Sequence, residues 1–370
     1  MFSLEGPMEE KVTTEITFLS NFSWSHPGTL ELLCETASFK NFKVRHFSKP
    51  HSIFTKKNRA KANSPLLGVE SQELYNFSVK LSRAPVLNNL QNMFLWKQIK
   101  STYGKRIKKV LIYNNLDSLE GLRDKLIDHF DILIFLCADY SRLDERLKLN
   151  CNIADGIFVI PKSMYQVLLN QYPEKKLVVW PQPVTSKFNS SLQGDQKAKI
   201  DEILLNIPQP RIIYAGIGLA RLNRKIFRGM MDRFPSCSFI TFGGEEFLKE
   251  QNHFVIPAIS KQEMLYFISQ CNVGFMPYEI SDPHNLHCVP LKLFDYFSAG
   301  LPVVSSKLLN ISQYKELLFL CETAEEFESA IEKSLKERIE SEACEKRKTV
   351  YQSHSTNKTS DAFERCIKEL

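Results

Sequence analysis

A lysine and an aspartate three positions apart, Lys292 and Asp295, lie in a segment that is typical of the start of a helix. Side chains at this spacing emerge on one side of a helix, so the two are predicted to face the same space. Lys292 falls in the first turn, where backbone N–H groups lack intrahelical partners and a positive charge is locally unfavourable. The pattern makes chemical sense if an anion such as phosphate occupies that position, with Asp295 placed to bind a ribose.

The neighbouring residues indicate how this pair is positioned. Pro290 suits the first helical position, because its missing N–H is not needed there. Apolar residues at helical spacing between 291 and 298 are predicted to face a sheet. Gly300 ends the helix, Pro302 prevents it from resuming, and Val303 begins a short apolar strand. The sequence therefore predicts an anion site on a helix that is packed against a sheet.

Two glycines, Gly216 and Gly218, close a predicted strand at residues 211–216. Glycines there let a backbone or a phosphate approach closely, although a plain tight turn is the favoured interpretation of the pair alone. Arg221 stands where the third glycine of the dinucleotide-binding fingerprint would be, so a dehydrogenase is disfavoured. Because guanidinium binds phosphate bidentately, Arg221 favours a phosphate site in this loop.

The polar loop at residues 278–288 directly precedes the Lys292 helix and contains His284, His287 and Cys288. Their spacing matches no standard zinc pattern and no second ligand pair follows, so we expect no metal at this position. Contact with the sugar or phosphate of a ligand is the better interpretation for at least one of them. We predict no cofactor.

A carboxylate in the first half of the chain, Asp139, follows an apolar strand at its carboxyl end. An aspartate there can be a helix cap, a role that Ser141 could share, or a general base that deprotonates an acceptor hydroxyl. Both interpretations stay open. Asp117, Glu31 and His26 are weaker alternatives for the base.

The length and composition are those of a two-domain soluble protein. The chain has 370 residues, of which 43% are hydrophobic and 24% charged. No apolar run is long enough for a spanning helix, and no apolar core of signal-peptide length stands near the N-terminus. The nine cysteines are odd in number and include no C-x-x-C pair, so a reduced, cytoplasmic location is expected.

The net charge of +6 is concentrated in the first 110 residues, which hold 17 Lys and Arg against 8 Glu and no Asp. The excess lies in two stretches, residues 49–61 and 97–109. A solvated basic face explains it most simply. Attraction to an anionic membrane leaflet or to a pyrophosphate-linked acceptor is the functional alternative. Nucleic acid is disfavoured, because no known fingerprint is present.

Strands and helices alternate along both halves of the chain, which predicts an α/β protein with two doubly wound parallel sheets. Residues 48–71 are polar and basic without clear periodicity and are predicted to form a loop. Residues 186–209 are predicted to be a linker that includes a polar helix. Two such domains enclose a cleft, and ligands of parallel sheets bind outside the carboxyl ends of the strands.

Three segments carry a resemblance to a known family. Residues 290–305 read PLKLFDYFSAGLPVVS and resemble the motif P-L-K-hydrophobic-F-E-Y-hydrophobic-A-A-G-x-P-V-V. Residues 214–223 are similar to a Gly-rich turn that is followed by R-I-D. Residues 271–278 resemble the strand "DVGLIPY". The chain resembles the GT-B nucleotide-sugar glycosyltransferases, in particular the family-4-like bacterial enzymes of surface-polysaccharide assembly, and more distantly the xanthan glucuronosyltransferase. The likeness covers roughly residues 210–310 and extends diffusely over 15–185.

The resemblance implies roles for individual residues. Lys292 and Arg221 would bind the diphosphate of a nucleotide-sugar donor, Gly216 and Gly218 would line the phosphate pocket, and Asp295 takes the place of the glutamate that holds the ribose. Tyr278 and His287 complete the predicted donor site, and His287 replaces the second acidic residue of the family. Asn223 also replaces an aspartate, so the sugar and the retained or inverted configuration stay open. Asp139 is the candidate base of an inverting enzyme.

The resemblance gives the whole chain a predicted organisation. Residues 1–185 are the acceptor-binding domain and 186–209 the linker; residues 210–335 bind the donor, and helices in 336–370 pack back on the first domain. The predicted reaction is hexosyl or glucuronosyl transfer to a glycan or polyprenyl-linked acceptor in polysaccharide biosynthesis, with the basic stretches at the inner membrane face. The alternatives are an inactive GT-B scaffold protein and a sugar-nucleotide epimerase of the same fold.

Overall fold

Two parallel β-sheets form the framework of the protein, which we describe from a computed structural model. The structure describes residues 13–20, 28–52, 66, 68–76, 85–100, 107–138, 140–186, 192, 194–217, 220–243, 251–337 and 341–370. Among these residues, no helix combines the length and the apolarity needed to cross a bilayer.

The first sheet has seven strands among the described residues, all paired in parallel in the order β3-β2-β1-β4-β5-β6-β7. Strands β1 and β5 are buried at every position, and β5 is an apolar run, as expected for a parallel sheet covered on both faces. The strands are β1 (Thr14–Leu19), β2 (Lys43–Ser52), β3 (Val69–Asn76), β4 (Lys108–Tyr113), β5 (Ile132–Cys137), β6 (Gly156–Val159) and β7 (Lys176–Val179).

The helices of this half alternate with the strands and bury apolar residues against both faces of the sheet. They are α1 (Thr29–Ser38), α2 (Pro85–Ile99), a 3₁₀ segment (Asp117–Leu122), α3 (Arg123–His129), α4 (Glu145–Ile153) and α5 (Lys162–Gln171).

The second sheet has six parallel strands among the described residues, in the order β10-β9-β8-β11-β12-β13, with an apolar cluster on each face. Its strands are β8 (Arg211–Ile217), β9 (Ser238–Phe242), β10 (His253–Ile256), β11 (Val273–Met276), β12 (Val303–Ser306) and β13 (Phe319–Cys321). Its helices are α6 (Gly194–Leu205), α7 (Arg224–Arg233), α8 (Lys261–Ser269), α9 (Pro283–Leu286), α10 (Leu291–Ser298), a 3₁₀ segment (Leu309–Tyr314) and α11 (Ala324–Leu335).

The end of the chain returns to the first sheet. After α12 (Glu342–Ser353), helix α13 (Thr356–Glu369) packs along α1. Phe363 of α13 is fully buried and meets the rings of Phe158 and Trp180 edge to face. The last helix therefore completes the apolar core of the first sheet, and the chain crosses between the two sheets twice.

The predicted alternation of strands and helices in two parallel sheets is confirmed, but two strands were not predicted. Strand β3 and the end of β2 extend into the predicted loop 48–71, because β3 pairs only along one edge and its sequence VESQELYN lacks an apolar run. Strand β13 has three residues, too few to produce a periodic signal. Pro290 also lies one position earlier than predicted, as the N-cap of α10.

Candidate donor-binding site

Lys292 is the second residue of helix α10, whose N-cap Pro290 makes no side-chain cap and whose first turn carries no acidic residue. The helix is held in place by fully buried side chains, among them Leu293, Phe294 and Tyr296. The Tyr296 hydroxyl accepts a hydrogen bond from the Ala215 N–H at 2.8 Å, which ties the helix to β8. The first-turn amides and Lys292 thus lie at the carboxyl edge of the second sheet, where a bound anion would meet them.

Two buried tyrosines hold the Lys292 ammonium. Its Nζ atom lies 3.7 Å from the centroid of the Tyr214 ring and 5.0 Å from that of Tyr278. Tyr214 is on β8 and Tyr278 follows β11, the neighbouring strand, and the two rings are 6.4 Å apart in an edge-to-face arrangement. Aromatic faces attract a cation but leave its hydrogen-bond donors unused. The ammonium is therefore fixed in position and still able to bind an anion.

Gly216 lets Lys292 approach the end of β8. A β-carbon at this position would lie 2.5 Å from the Lys292 Nζ and 2.9 Å from the Tyr214 Cε1. Either contact is too short for a real side chain, so the position requires glycine for the close approach. The structure thus brings together Gly216, Lys292 and Tyr278 of the predicted site. Gly218 lies outside the described residues.

The pKa of Lys292 is lowered from 10.5 to about 7, chiefly because the side chain is buried. The positive charge of Arg221 contributes to the lowering, while Cys288 and Asp295 act in the opposite direction. Among the residues that the structure describes, no carboxylate lies within ion-pair distance of the Lys292 ammonium. Within this part of the chain the Lys292 ammonium therefore has no ion-pair partner, which a diphosphate would supply.

Arg221 is braced by the loop that follows β11. Its Nη2 donates to His284 Nε2 at 2.6 Å, and its backbone carbonyl accepts from the Glu279 N–H at 2.9 Å. Because an arginine is always protonated, His284 accepts through Nε2 and carries its proton on Nδ1. Leu222 forms an antiparallel bridge with Tyr278. Contacts with the loop that follows β11 thus position Arg221 near Lys292.

Asp295 is nearly buried, with 10% of its side chain exposed. Both of its carboxylate oxygens accept from the Nζ of Lys261 at 2.6 Å. Lys261 is the first residue of α8 and was not predicted as a site residue, because nothing in the sequence links positions 34 apart.

His287 lies at a contact between the two halves of the chain. Its Nδ1 is 2.9 Å from the hydroxyl of Ser163 on α5. Asn310 completes the contact, since its amide donates to the His287 carbonyl at 2.6 Å and its oxygen accepts from the Ser163 N–H at 2.9 Å. The ring is thereby oriented with Nδ1 toward the first half.

Comparisons with solved structures identify the fold of the chain. No protein-family model matches the sequence, and no curated protein matches it. Among solved structures, HepE from Anabaena, in complex with UDP and glucose, has a TM-score of 0.68 at 11% identity, covering 96% of this chain and 100% of that chain. The chain has the GT-B fold.

Two further structures with this fold have similar scores. The UDP-forming α,α-trehalose-phosphate synthase from Burkholderia xenovorans, in complex with glucose-6-phosphate, has a TM-score of 0.65 at 10% identity, covering 95% of this chain and 99% of that one. An α-glucosyltransferase in complex with UDP-glucose and DNA has a TM-score of 0.58 at 12% identity, covering 97% and 99%. At such identities the likeness concerns the GT-B fold, so the site must be argued from its own residues.

An open cavity of about 360 Å³ lies between the two halves of the GT-B fold. It is lined on one side by residues that follow β5, namely Tyr140, Ser141, Arg142, Asp144 and Arg146, and on the other by residues 282–284. The His284 that braces Arg221 is among the latter. Asp139, the candidate base, immediately precedes the first lining segment but lies outside the described residues.

Of the weaker candidates for the base, Glu31 is fully buried in a structural network. Its oxygens accept from the Ser20 hydroxyl and from the Gly28 N–H at 2.8 Å, and His46 Nε2 lies 3.1 Å from it. This arrangement caps helix α1. His26 and the side chain of Asp117 lie outside the described part of the chain.

The described residues include no group of three His, Cys, Asp or Glu side chains that could hold a metal ion. Cys288 is buried, and His284 and His287 are engaged by Arg221 and Ser163 respectively.

Proposed function

We propose that the protein is a glycosyltransferase that transfers a sugar from a nucleotide-diphosphate sugar to an acceptor hydroxyl. The observation that carries this proposal is the Lys292 ammonium, held between two tyrosines against Gly216 at the carboxyl edge of the second sheet. A desolvated cation at a helix N-terminus is suited to the diphosphate of such a donor. The GT-B fold, found in HepE with UDP and glucose, supports the same reading.

In the proposed complex, Lys292, Arg221 and the first-turn amides of α10 bind the diphosphate, next to Gly216 and Gly218. Asp295 lies one helical turn further along the same helix, in reach of the ribose. Tyr278 fixes the Lys292 ammonium. His287 directs Nδ1 to Ser163, which leaves Nε2 for the donor sugar.

In the proposed transfer step, the diphosphate is the leaving group. The acceptor oxygen forms a bond to the anomeric carbon while the bond from that carbon to the diphosphate oxygen breaks. Negative charge grows on the diphosphate, and prearranged cations and helix amides stabilise it more strongly in the transition state than in the bound donor. If the enzyme inverts, Asp139 accepts the proton of the acceptor hydroxyl. If it retains, an oxygen of the departing diphosphate accepts that proton, and no enzymic base is needed there.

The acceptor is proposed to be a glycan or a polyprenyl-linked sugar of polysaccharide biosynthesis, used at the inner face of the membrane. Support comes from helix α2, which exposes Leu90 by 51% and Met93 by 61% one turn apart, followed by the exposed Lys97. Apolar tips beside basic residues suit an anionic leaflet. Sedimentation with vesicles containing anionic lipid should be lost in the double variant Leu90→Gln, Met93→Gln.

The proposal is tested with a panel of UDP-, GDP- and dTDP-linked hexoses and UDP-glucuronate, with and without a mixture of glycan and lipid-linked acceptors. Transfer that disappears in Lys292→Ala supports the enzyme. Release of an altered free sugar or nucleotide without acceptor indicates the epimerase instead. Absence of both nucleotide binding and turnover would leave only the scaffold protein.

A further inference from the structure

The ion pair between Lys261 and Asp295 joins two helices at one edge of the second sheet. Lys261 is the first residue of α8, just after the carboxyl end of β10, and Asp295 lies in the second turn of α10. Its ammonium reaches both carboxylate oxygens at 2.6 Å. The pair thus lies at the edge where Lys292 is held, since the strands of this sheet are parallel.

The two partners are unequally exposed. The Lys261 side chain is 32% exposed and that of Asp295 only 10%. A ligand that reaches this edge therefore meets the ammonium first. An ammonium has three donors, of which Asp295 takes two, and no other acceptor is bound to it among the described residues. The remaining N–H is available to an oxygen of a ligand.

The length of the Asp295 side chain also favours a ligand oxygen bound to Lys261. Aspartate is one methylene shorter than glutamate, so the Asp295 carboxylate reaches less far from α10 than a glutamate would. The Lys261 ammonium extends this short carboxylate outward while the pair as a whole stays electroneutral. A neutral hydroxyl oxygen suits such a pair better than a second phosphate, because the charge of the ammonium is already balanced.

We propose that Lys261 is a specificity-determining residue of the donor site, whose ammonium, held by Asp295, donates a hydrogen bond to a ribose hydroxyl of the bound nucleotide. This inference rests on the glycosyltransferase function proposed above. Lys261 and Asp295 together, rather than the carboxylate alone, distinguish a ribonucleotide from its deoxy counterpart.

Calorimetric titration with UDP, 2′-deoxy-UDP and 3′-deoxy-UDP tests the assignment. The variants are Lys261→Met, which keeps the length of the side chain and removes its donors, and Lys261→Arg, which keeps a cationic donor. Lys40→Met is the matched control, because Lys40 follows the end of α1 and forms an ion pair with Asp361 of α13, outside the second sheet. Thermal unfolding of each variant checks that it folds.

Wild type should bind UDP about tenfold more tightly than at least one deoxy analogue, the usual effect of one charge-assisted hydrogen bond. Lys261→Met should lose that ratio by binding UDP more weakly, whereas Lys261→Arg should restore part of it and Lys40→Met should keep it. A purely structural pair would lower the melting temperature but leave the ratio unchanged, and that result overturns the inference while the proposed function stands. A wild-type protein that binds UDP and its deoxy analogues equally overturns it as well.

If UDP fails to bind, the same ratios are measured with GDP and its deoxy analogues. Binding of no nucleoside diphosphate overturns the proposed function itself and this inference with it.

Discussion

The ammonium of Lys292 lies 3.7 Å from the centre of the Tyr214 ring, so a helix that follows β11 delivers its cation onto a residue of the neighbouring strand β8. This contact fixes the position of a first-turn lysine, so that the lysine can form an anion site. The ring fixes the charge without neutralising it, and burial keeps water from replacing the missing anion.

The first prediction concerns stability and pH in the variant Lys292→Met. The pKa of Lys292 is about 7 in the folded protein and about 10.5 in the unfolded chain. Between these values the unfolded chain binds more protons, so the contribution of Lys292 to the free energy of unfolding becomes more favourable as the pH rises. We expect the stability of Lys292→Met relative to wild type to be greatest at pH 6 and to decline toward pH 10, in urea unfolding. A difference that does not change with pH would contradict the buried cation.

The second prediction concerns protons taken up on binding. At pH 8 the Lys292 side chain is largely the neutral amine, because its pKa is about 7. Burial and the charge of Arg221 oppose protonation more strongly than Cys288 and Asp295 favour it. A diphosphate raises the pKa of this lysine, so binding should take up close to one proton. Calorimetry in two buffers of different ionisation enthalpy measures this number directly. Lys292→Arg, which is always charged, should bind with no uptake; equal uptake in both proteins would assign the proton to another group.

The third prediction uses two glycines that differ in surroundings. In Gly216→Ala, the new methyl group would meet the Lys292 Nζ and the buried Tyr214 ring, so the ammonium must move. We expect a loss of about 1 to 3 kcal/mol in stability and at least about tenfold weaker nucleotide binding. Gly229→Ala is the control, since nothing lies within 4 Å of its β-carbon and the position is inside α7. It should gain about 0.5 to 1 kcal/mol and bind nucleotide normally.

The fourth prediction tests the structural role of Glu31 against an exposed carboxylate. Glu31→Ala removes the acceptor of the Ser20 and Gly28 hydrogen bonds in a fully buried network. We expect a loss of about 2 to 4 kcal/mol in the free energy of unfolding. Glu145→Ala, in the exposed first turn of α4, should cost less than about 1 kcal/mol. Equal effects of the two substitutions would show that the Glu31 network adds nothing to stability.

The sequence predicts the fold well because a parallel sheet buried on both faces needs apolar strands that alternate with helices. Strand β5, with the sequence ILIFLC, is buried at every position. Edge strands such as β3 escape prediction, since their identity depends on a partner strand rather than on their own residues.

The site is only partly predictable for a related reason. The first-turn position of Lys292 and the glycine at 216 predict an anion beside a close backbone approach, because both are local properties of the chain. The aromatic contact with Tyr214 and the pairing of Asp295 with Lys261 join distant positions, and only the folded structure brings them together. Asp139 and Gly218 stay predictions, since both lie outside the described residues.

The central claim is that Lys292 binds the diphosphate of a nucleotide-linked donor, and titration of the wild-type protein and of Lys292→Met with UDP, GDP and dTDP tests it most directly. We expect at least one of the three to bind the wild type saturably and to raise its melting temperature, with the binding weakened about a hundredfold or more in a folded Lys292→Met protein. Equal binding by the two proteins, or binding of none of the three nucleotides by the wild type, would contradict the account.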